Sequence, residues 1–497
     1  MTPLHRESIP WLPRPSRDRW ARRRHTRAHL ARAAAVLLLA LPALSATRIH
    51  DRLVHSFPAA GDTLHAVPRE LRLAFSREFP RDTTVPGAAV TLSGPDGAIA
   101  LGDPAVSADT ASVLVATISG VRVAGDYTVT WQILGADGHP VRGTFTFRIA
   151  DHADGLPVEP APVTTAADPE TTTVLRDEDV FDASSPLYAV IRWVWFLNLT
   201  ALIGAAVFLS IILQRAAPRG ADAGVTQLAT RRAASAGAVA AAFCLLAGAA
   251  RLWAQSRALG GTNAFPLQPL ITGTTWGTGW LIQMGGGAIA VAGFTAAFAG
   301  RRAGMHLAAV GALLSAFAPP LSGHAMTAPL SPLPIIADGI HVLAAGGWLG
   351  ALLVLVLIGL PAAQRAGDGA VRQAALLVNT FSPVALSFAG LLLLTGALTT
   401  VLHAGSLAAL LASTWGRTLG LKLLVVAAAV AFGAWNWRRG RHALGDTGGV
   451  QRIRRSARAE LASGALVLLI TAVLVATPPP AEDAHDDAVA RSAPSAR

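Results

Sequence analysis

Histidine, aspartate and methionine recur in this chain in small groups whose donor atoms suit a transition metal. Asp137 and His139 flank a glycine in Ala136-Asp137-Gly138-His139-Pro140. Two residues apart in an extended segment, they project to the same side. An imidazole nitrogen beside a carboxylate oxygen suits tetragonal Cu(II). A second group comprises His324 and Met326 in Ser322-Gly323-His324-Ala325-Met326, then Asp338 with His341, then His403. Asp338 precedes His341 by three residues and therefore shares its face on a helix. Imidazole with thioether is again a copper set, and Asp338 can either ligate or orient His341. His306 and His442 read as surface residues. The single cysteine, Cys244, sits in an apolar block and excludes both a disulfide framework and a Cys-rich metal site.

The elements that must hold these residues are of two kinds. Hydrophobic residues make up 52% of the 497 and charged residues 14%, and the mean hydropathy is +0.46, values that point to a membrane protein. Beyond about residue 185 the aliphatic residues come in eight blocks, at 189–213, 233–253, 279–299, 303–321, 335–360, 384–404, 418–437 and 461–477. Each approaches the length that crosses a bilayer as a helix. His324, His341 and His403 then lie on three separate helices at one leaflet. Lys422 falls inside the seventh block, close enough to the outer interface to snorkel.

Ahead of the helices, Leu71–Phe75, Ala88–Leu92, Val113–Ile118, Tyr127–Leu134 and Thr144–Ile149 are short, rich in β-branched or aromatic residues, and separated by turn signals such as Gly94-Pro95-Asp96-Gly97. They predict a small β-sandwich with Trp131 and Phe147 in its core. An Arg-rich leader, a short apolar run from Ala33 to Ala46 and small residues at its end read as a secretory signal over 1–46. Residues 151–185, rich in Pro, Thr and Asp, read as a tether, and 479–497 as a disordered tail.

The net charge of +11 is not a nucleic-acid signature. The arginines sit in the leader and between apolar blocks, with no basic stripe. Fifteen, from Arg215 to Arg458, follow helices 1, 3, 5 and 7, whereas Arg251, Arg257 and Arg417 alone occupy the opposite side. The positive-inside rule then sets the β domain outside the cell's inner membrane, with the bilayer as a partner and nucleic acid excluded. There is no G-x-x-x-x-G-K-[ST] motif and no nucleophile–base constellation, so neither an ATP-driven pump nor a hydrolytic enzyme is expected.

Two stretches resemble the CopC family of periplasmic copper-binding β-sandwiches. One runs through His50-Asp51-Arg52-Leu53-Val54, Pro58-Ala59-Ala60-Gly61-Asp62-Thr63-Leu64 and Leu73-Ala74-Phe75-Ser76. The other runs through Gly125-Asp126-Tyr127-Thr128-Val129-Thr130-Trp131, Asp137-Gly138-His139 and Gly143-Thr144-Phe145. The resemblance implies Cu(II) ligation by His50, Asp137 and His139 within residues 47–150. In the family the N-terminal histidine also uses its α-amine, which a cleavage point three to five residues before His50 would block. His55 and His65 are substitutes. No methionine lies between residues 50 and 150, so a thioether Cu(I) site is not expected there.

The membrane half, 186–478, resembles the CopD family in Ser322-Gly323-His324-Ala325, Asp338-Gly339-Ile340-His341, Trp348-Leu349-Gly350 and Trp415-Gly416-Arg417 with Lys422. That resemblance implies copper resistance or uptake; the copper set expected from the placement of the residues is His324, His341 and His403, with Met326 and Asp338, and other periplasmic copper proteins are expected partners. A membrane-anchored copper chaperone without translocation is the rival reading. A haem protein using paired histidines is another.

Overall fold

A computed structural model describes residues 52–79, 85, 87–119, 123–135, 140–150, 185–260, 265–322, 332–404, 407–435 and 447–477. The leader, the tail and nearly all of the tether fall outside these residues.

The N-terminal domain comprises β1 (Leu53–Phe57), β2 (Thr63–Leu64), β3 (Glu70–Phe75), β4 (Ala89–Gly94), β5 (Gly97–Ile99), β6 (Ala105–Val106), β7 (Val113–Thr117), β8 (Gly125–Leu134) and β9 (Pro140–Ile149). They form a four-stranded sheet, β1-β3-β7-β6, and a five-stranded sheet, β2-β9-β8-β4-β5. All five strands expected from sequence are present. The additional β1, β2, β5 and β6 are short and carry too few residues for alternation to be legible.

Strand β8 shows why the pattern folds. Tyr127, Val129, Trp131 and Ile133 are buried while the intervening Thr128, Thr130 and Gln132 are half-exposed, the period of two that a one-sided sheet requires. Trp131 meets Phe75 of the opposite sheet edge-on at 5.2 Å, and Tyr127 stacks on Phe147 at 5.4 Å. Such aromatic pairs add about 0.5–1.5 kcal/mol each to their burial. Strands β8 and β9 pair continuously from Gly125↔Ile149 to Leu134↔Pro140.

The membrane domain has ten helices among the described residues: α1 (Pro186–Val207), α2 (Ala223–Gly260), the short α3 (Leu267–Thr272), α4 (Thr275–Phe298), α5 (Arg302–Leu321), α6 (Leu333–Ala345), α7 (Ala370–Ala404), the short α8 (Leu407–Ala412), α9 (Thr414–Trp435) and α10 (Thr447–Leu474). With their direct continuations, eight are long and apolar enough to cross a membrane. They coincide with the eight apolar blocks. The outward faces of α7 and α9 expose Leu386, Leu394, Val401 and Leu424, the side chains that hydrocarbon would cover.

α6 continues through a π-helical turn, Gly346–Gly350, into Ala351–Val354, a second π turn Leu355–Gly359, and Leu360–Ala363. The first π turn presses on α1 backbone to backbone: a Cβ on Gly204 would overlap the Gly350 carbonyl carbon, and one on Gly350 would overlap the Thr200 carbonyl. Lipid offers no hydrophobic driving force between helices, so close approach of small residues supplies the packing.

The sandwich rests on one end of this bundle. Leu134, last residue of β8, is buried with Leu259, Phe265, Leu270 and Trp276. Gln132 donates its side-chain N–H to the Leu259 carbonyl at 3.1 Å. That carbonyl lies in the last turn of α2, where no helical donor remains for it. The sandwich thereby caps the helix on which it sits.

One expectation needs correction. Arg251 belongs to no loop: α2 extends to Gly260, and Arg251 is 5% exposed inside the bundle. Its guanidinium lies 3.8 Å from the Trp195 ring centroid and donates to Gln283. Arg231 and Arg232 likewise fall within α2, and Arg372 within α7. Hydropathy falls before these helices end, so they run longer than the apolar blocks.

Candidate metal centre

His341 is the best-defined of the expected ligands. It projects from α6 onto α7, where Nδ1 lies 3.0 Å from Thr395 Oγ1. A Cβ on Gly396 would come to 3.1 Å from the imidazole Cε1, so glycine is what lets the ring lie close against α7. The Thr395 hydroxyl also lies 2.8 Å from the Leu391 carbonyl, four residues back on its own helix. A hydroxyl has one proton. With that proton directed at Leu391, Thr395 accepts from His341, which assigns the neutral imidazole its Nδ1–H form and leaves the Nε2 lone pair for a metal.

A charged residue of a neighbouring helix acts on this histidine. Lys422 of α9 acts on it electrostatically, and Asp338, one turn earlier on α6, acts in turn on Lys422. His341 lies eight residues into α6, Thr395 nine residues from the end of α7, and Lys422 eight residues into α9. At 1.5 Å per residue all three sit about 12–14 Å below the same end of the bundle. The structure thus places Asp338 and His341 on one helix within electrostatic range of Lys422 on another, while α7 contacts the ring through Thr395.

His403 lies elsewhere in depth. It is seven residues beyond Gly396 on α7, about 10 Å of helix rise, so its backbone is close to the helix end rather than level with His341. A count of histidines per helix end does not register that two turns separate them. His324 and Met326 lie outside the described residues, as do His50, Asp137 and His139. The described residues on either side of the last two include Leu134, buried with Leu259, Phe265, Leu270 and Trp276, and Pro140, the first residue of β9. His55 is half-buried on β1, His65 is exposed after β2, and His306 is exposed at the start of α5. Among the described residues no three His, Cys, Asp or Glu side chains come together as a metal cage.

Three polar features escaped the sequence reading. Thr395 looked like one more small residue in an apolar helix. Arg192 and Arg251, both over nine-tenths buried, join Tyr188, Gln255 and Gln283 in a polar cluster, with Tyr188 donating to Gln255 at 2.8 Å. Glu460 is 4% exposed and accepts from the Trp348 indole at 2.9 Å. It sits one residue outside the eighth apolar block, where a carboxylate reads as interfacial.

Family comparisons agree with this arrangement. Residues 53–150 match the CopC domain, 181–330 the copper resistance protein D-like N-terminal domain, and 375–474 copper resistance protein D. The chain is a CopC–CopD fusion. Its CopC domain is 29% identical over 100 residues to protein YobA of Escherichia coli K12, spanning 20% of this chain and 78% of that protein. Among solved structures it is similar to CopC from Methylosinus trichosporium OB3b, at 22% identity, covering 22% of this chain and 99% of that one, with a TM-score of 0.18. It is also similar to PcoC, described as a methionine-rich copper resistance protein from Escherichia coli, at 26% identity, covering 20% of this chain and all of that one, with the same TM-score. The domains assign this CopC–CopD fusion to copper resistance and copper handling in a multi-pass membrane protein.

Proposed function

We propose that this CopC–CopD fusion binds Cu(II) outside the inner membrane through Asp137 and His139, with His50 as a third ligand, and passes copper inward through the bundle. The reading rests above all on one observation: Leu134, three residues before Asp137 in sequence, is buried in one cluster with Phe265 and Trp276 at the end of the membrane domain. An ion bound close in sequence to that cluster is handed to the bundle without release to bulk solvent. His324, Met326 and His403 then form the entry level. His341, with Asp338 beside it and Nε2 free, forms the next level, about 10 Å deeper. The arginines that follow the first, third, fifth and seventh membrane spans support a sandwich end that lies outside.

Flux of radiolabelled copper into proteoliposomes holding the full chain tests the proposal. Wild type should accumulate copper, and His139→Ala and His341→Ala should each slow it. Copper that binds without crossing would leave a membrane-anchored chaperone. Orientation is tested by a reporter active only in the periplasm, which should work after Ala328 and fail after Asp368.

A further inference from the structure

We infer that a groove between α4 and α5, at the end of the bundle away from the sandwich, binds one anionic phospholipid, with its phosphate at Arg301 and Arg302 and an acyl chain along α5. The groove encloses about 480 Å³ and runs from Arg301 and His306 to Leu307 and Val310. Ala303, His306, Leu307 and Val310 are spaced at helical intervals on an uninterrupted α-helix, so they form one stripe of α5. Small residues make the space. Ala296 and Ala303 line it, and Gly304 lies so near α4 that a Cβ there would overlap the Ala297 backbone nitrogen. From Arg301 to Val310 α5 rises about 13 Å, close to the depth of one leaflet's share of a ~30 Å hydrocarbon core.

The head of the groove is basic and its backbone is fixed. Gly300, at a φ of +82°, turns the chain from α4 into α5. The Gly300 N–H donates to the Ala297 carbonyl and the Arg301 N–H to that of Ala296, each at 3.0 Å. Arg301 is thereby anchored to the same residue that lines the groove. Arg302 and His306, one turn apart on α5, are both exposed beside it. No Asp or Glu occurs from Thr275 to Leu321, so neither helix offers the guanidinium groups a carboxylate. An apolar groove with positive charge at its mouth is complementary to an amphiphile that is negative at one end. Basic pockets between helices on the cytoplasmic side bind anionic headgroups on this principle. The inference rests on the orientation proposed above for its leaflet alone.

Native mass spectrometry of the full chain in detergent, titrated with dioleoyl phosphatidylglycerol or dioleoyl phosphatidylcholine, tests the site. One phosphatidylglycerol should bind about tenfold more tightly than phosphatidylcholine, as two arginines at one phosphate require. Arg301→Gln with Arg302→Gln should abolish that preference. Arg215→Gln with Arg219→Gln should keep it: these arginines are exposed at the same end of the bundle, where Gln214 meets Met305 at 3.6 Å, but do not line the groove. Ala303→Phe fills the groove beneath intact arginines and should weaken phosphatidylglycerol severalfold. If thermal unfolding shows that this variant disturbs the helix pair, Leu307→Gln, on the same stripe and 40% exposed, should give the same loss. Equal affinity of the wild type for the two lipids overturns the site. So does loss of the preference in the Arg215–Arg219 variant, which would make it an effect of general surface charge. Displacement of the lipid by an equal concentration of glycerol phosphate would reduce the groove to a bare phosphate site and overturn the lipid as occupant. A periplasmic reporter that reversed the orientation would move the site to the other leaflet and leave the binding result standing.

Discussion

The His341 imidazole donates to the Thr395 hydroxyl at 3.0 Å, and Thr395 in turn donates to its own helix at Leu391. A residue with no charge and no affinity for copper thereby decides which nitrogen of the histidine is available. The same logic holds wherever a histidine is to bind metal, because the partner of one ring nitrogen sets the state of the other.

Thr395→Val should therefore disturb His341 without removing it. The variant removes one acceptor of the buried N–H, a loss of about 0.5–1.5 kcal/mol. Nitrogen-15 NMR of labelled histidine in the metal-free protein should show the Nδ1–H form of His341 giving way to a mixture. Copper affinity of the membrane domain should drop by about tenfold, and Thr395→Ser should restore both. An unchanged tautomer in Thr395→Val would remove Thr395 from the site.

Much of the architecture was legible because it depends on periodicity. The alternation of Tyr127, Val129 and Trp131 declares a strand, and aliphatic blocks near bilayer length declare helices. What stayed hidden depends on pairs of residues far apart in sequence. Trp348 and Glu460 are 112 residues apart, and neither carries a local signal that it meets the other. Arg251 illustrates a different failure. A charge at the edge of a hydropathy block reads as loop, whereas the aromatic faces of Trp195 and Trp276 accept the guanidinium inside the bundle. His341 was recognised by its motif, but its depth, and hence its separation from His403, required the helix ends.

Helix packing gives a contrast between two glycines. Gly350→Ala places a methyl into the Thr200 carbonyl of α1, so α1 and the π turn must separate. Gly390→Ala on α7 meets nothing within 4 Å and should leave the protein's stability unchanged or slightly raised, since alanine favours helix by about 0.5–1 kcal/mol. Thermal unfolding in detergent should show a marked fall in Tm for Gly350→Ala and none for Gly390→Ala. Equal behaviour of the two would mean that the α1–α6 contact contributes little.

The sandwich should bind one Cu(II) through His139. Electron paramagnetic resonance of residues 47–150 should show nitrogen hyperfine structure that His139→Ala loses. Affinity should fall as pH drops below about 6.5, where free imidazole takes up a proton that competes with the metal. Because cleavage ahead of His50 blocks its α-amine, a chain beginning at His50 should bind more tightly. Equal affinity for the two chains would exclude that amine as a ligand.

Docking of the sandwich can be separated from its copper binding. Phe265 and Leu134 bury each other, and Gln132 caps the end of α2 through the Leu259 carbonyl. Truncating a buried aromatic removes roughly 3–5 kcal/mol where a cavity is left, and less where one side of the contact can relax. Phe265→Ala with Gln132→Ala should thus release the sandwich from the bundle while leaving the β8–β9 hairpin, which pairs along ten residues on each strand, intact. Hydrogen exchange should quicken in residues 256–272 and stay slow in β8 and β9. Cu(II) affinity of the sandwich should be unchanged, while copper flux in proteoliposomes falls severalfold at low copper and recovers as free copper is raised, since solvent can then supply the bundle directly. Flux that ignores the double substitution at every copper concentration would mean that the ion reaches the membrane domain without passing through the docked sandwich.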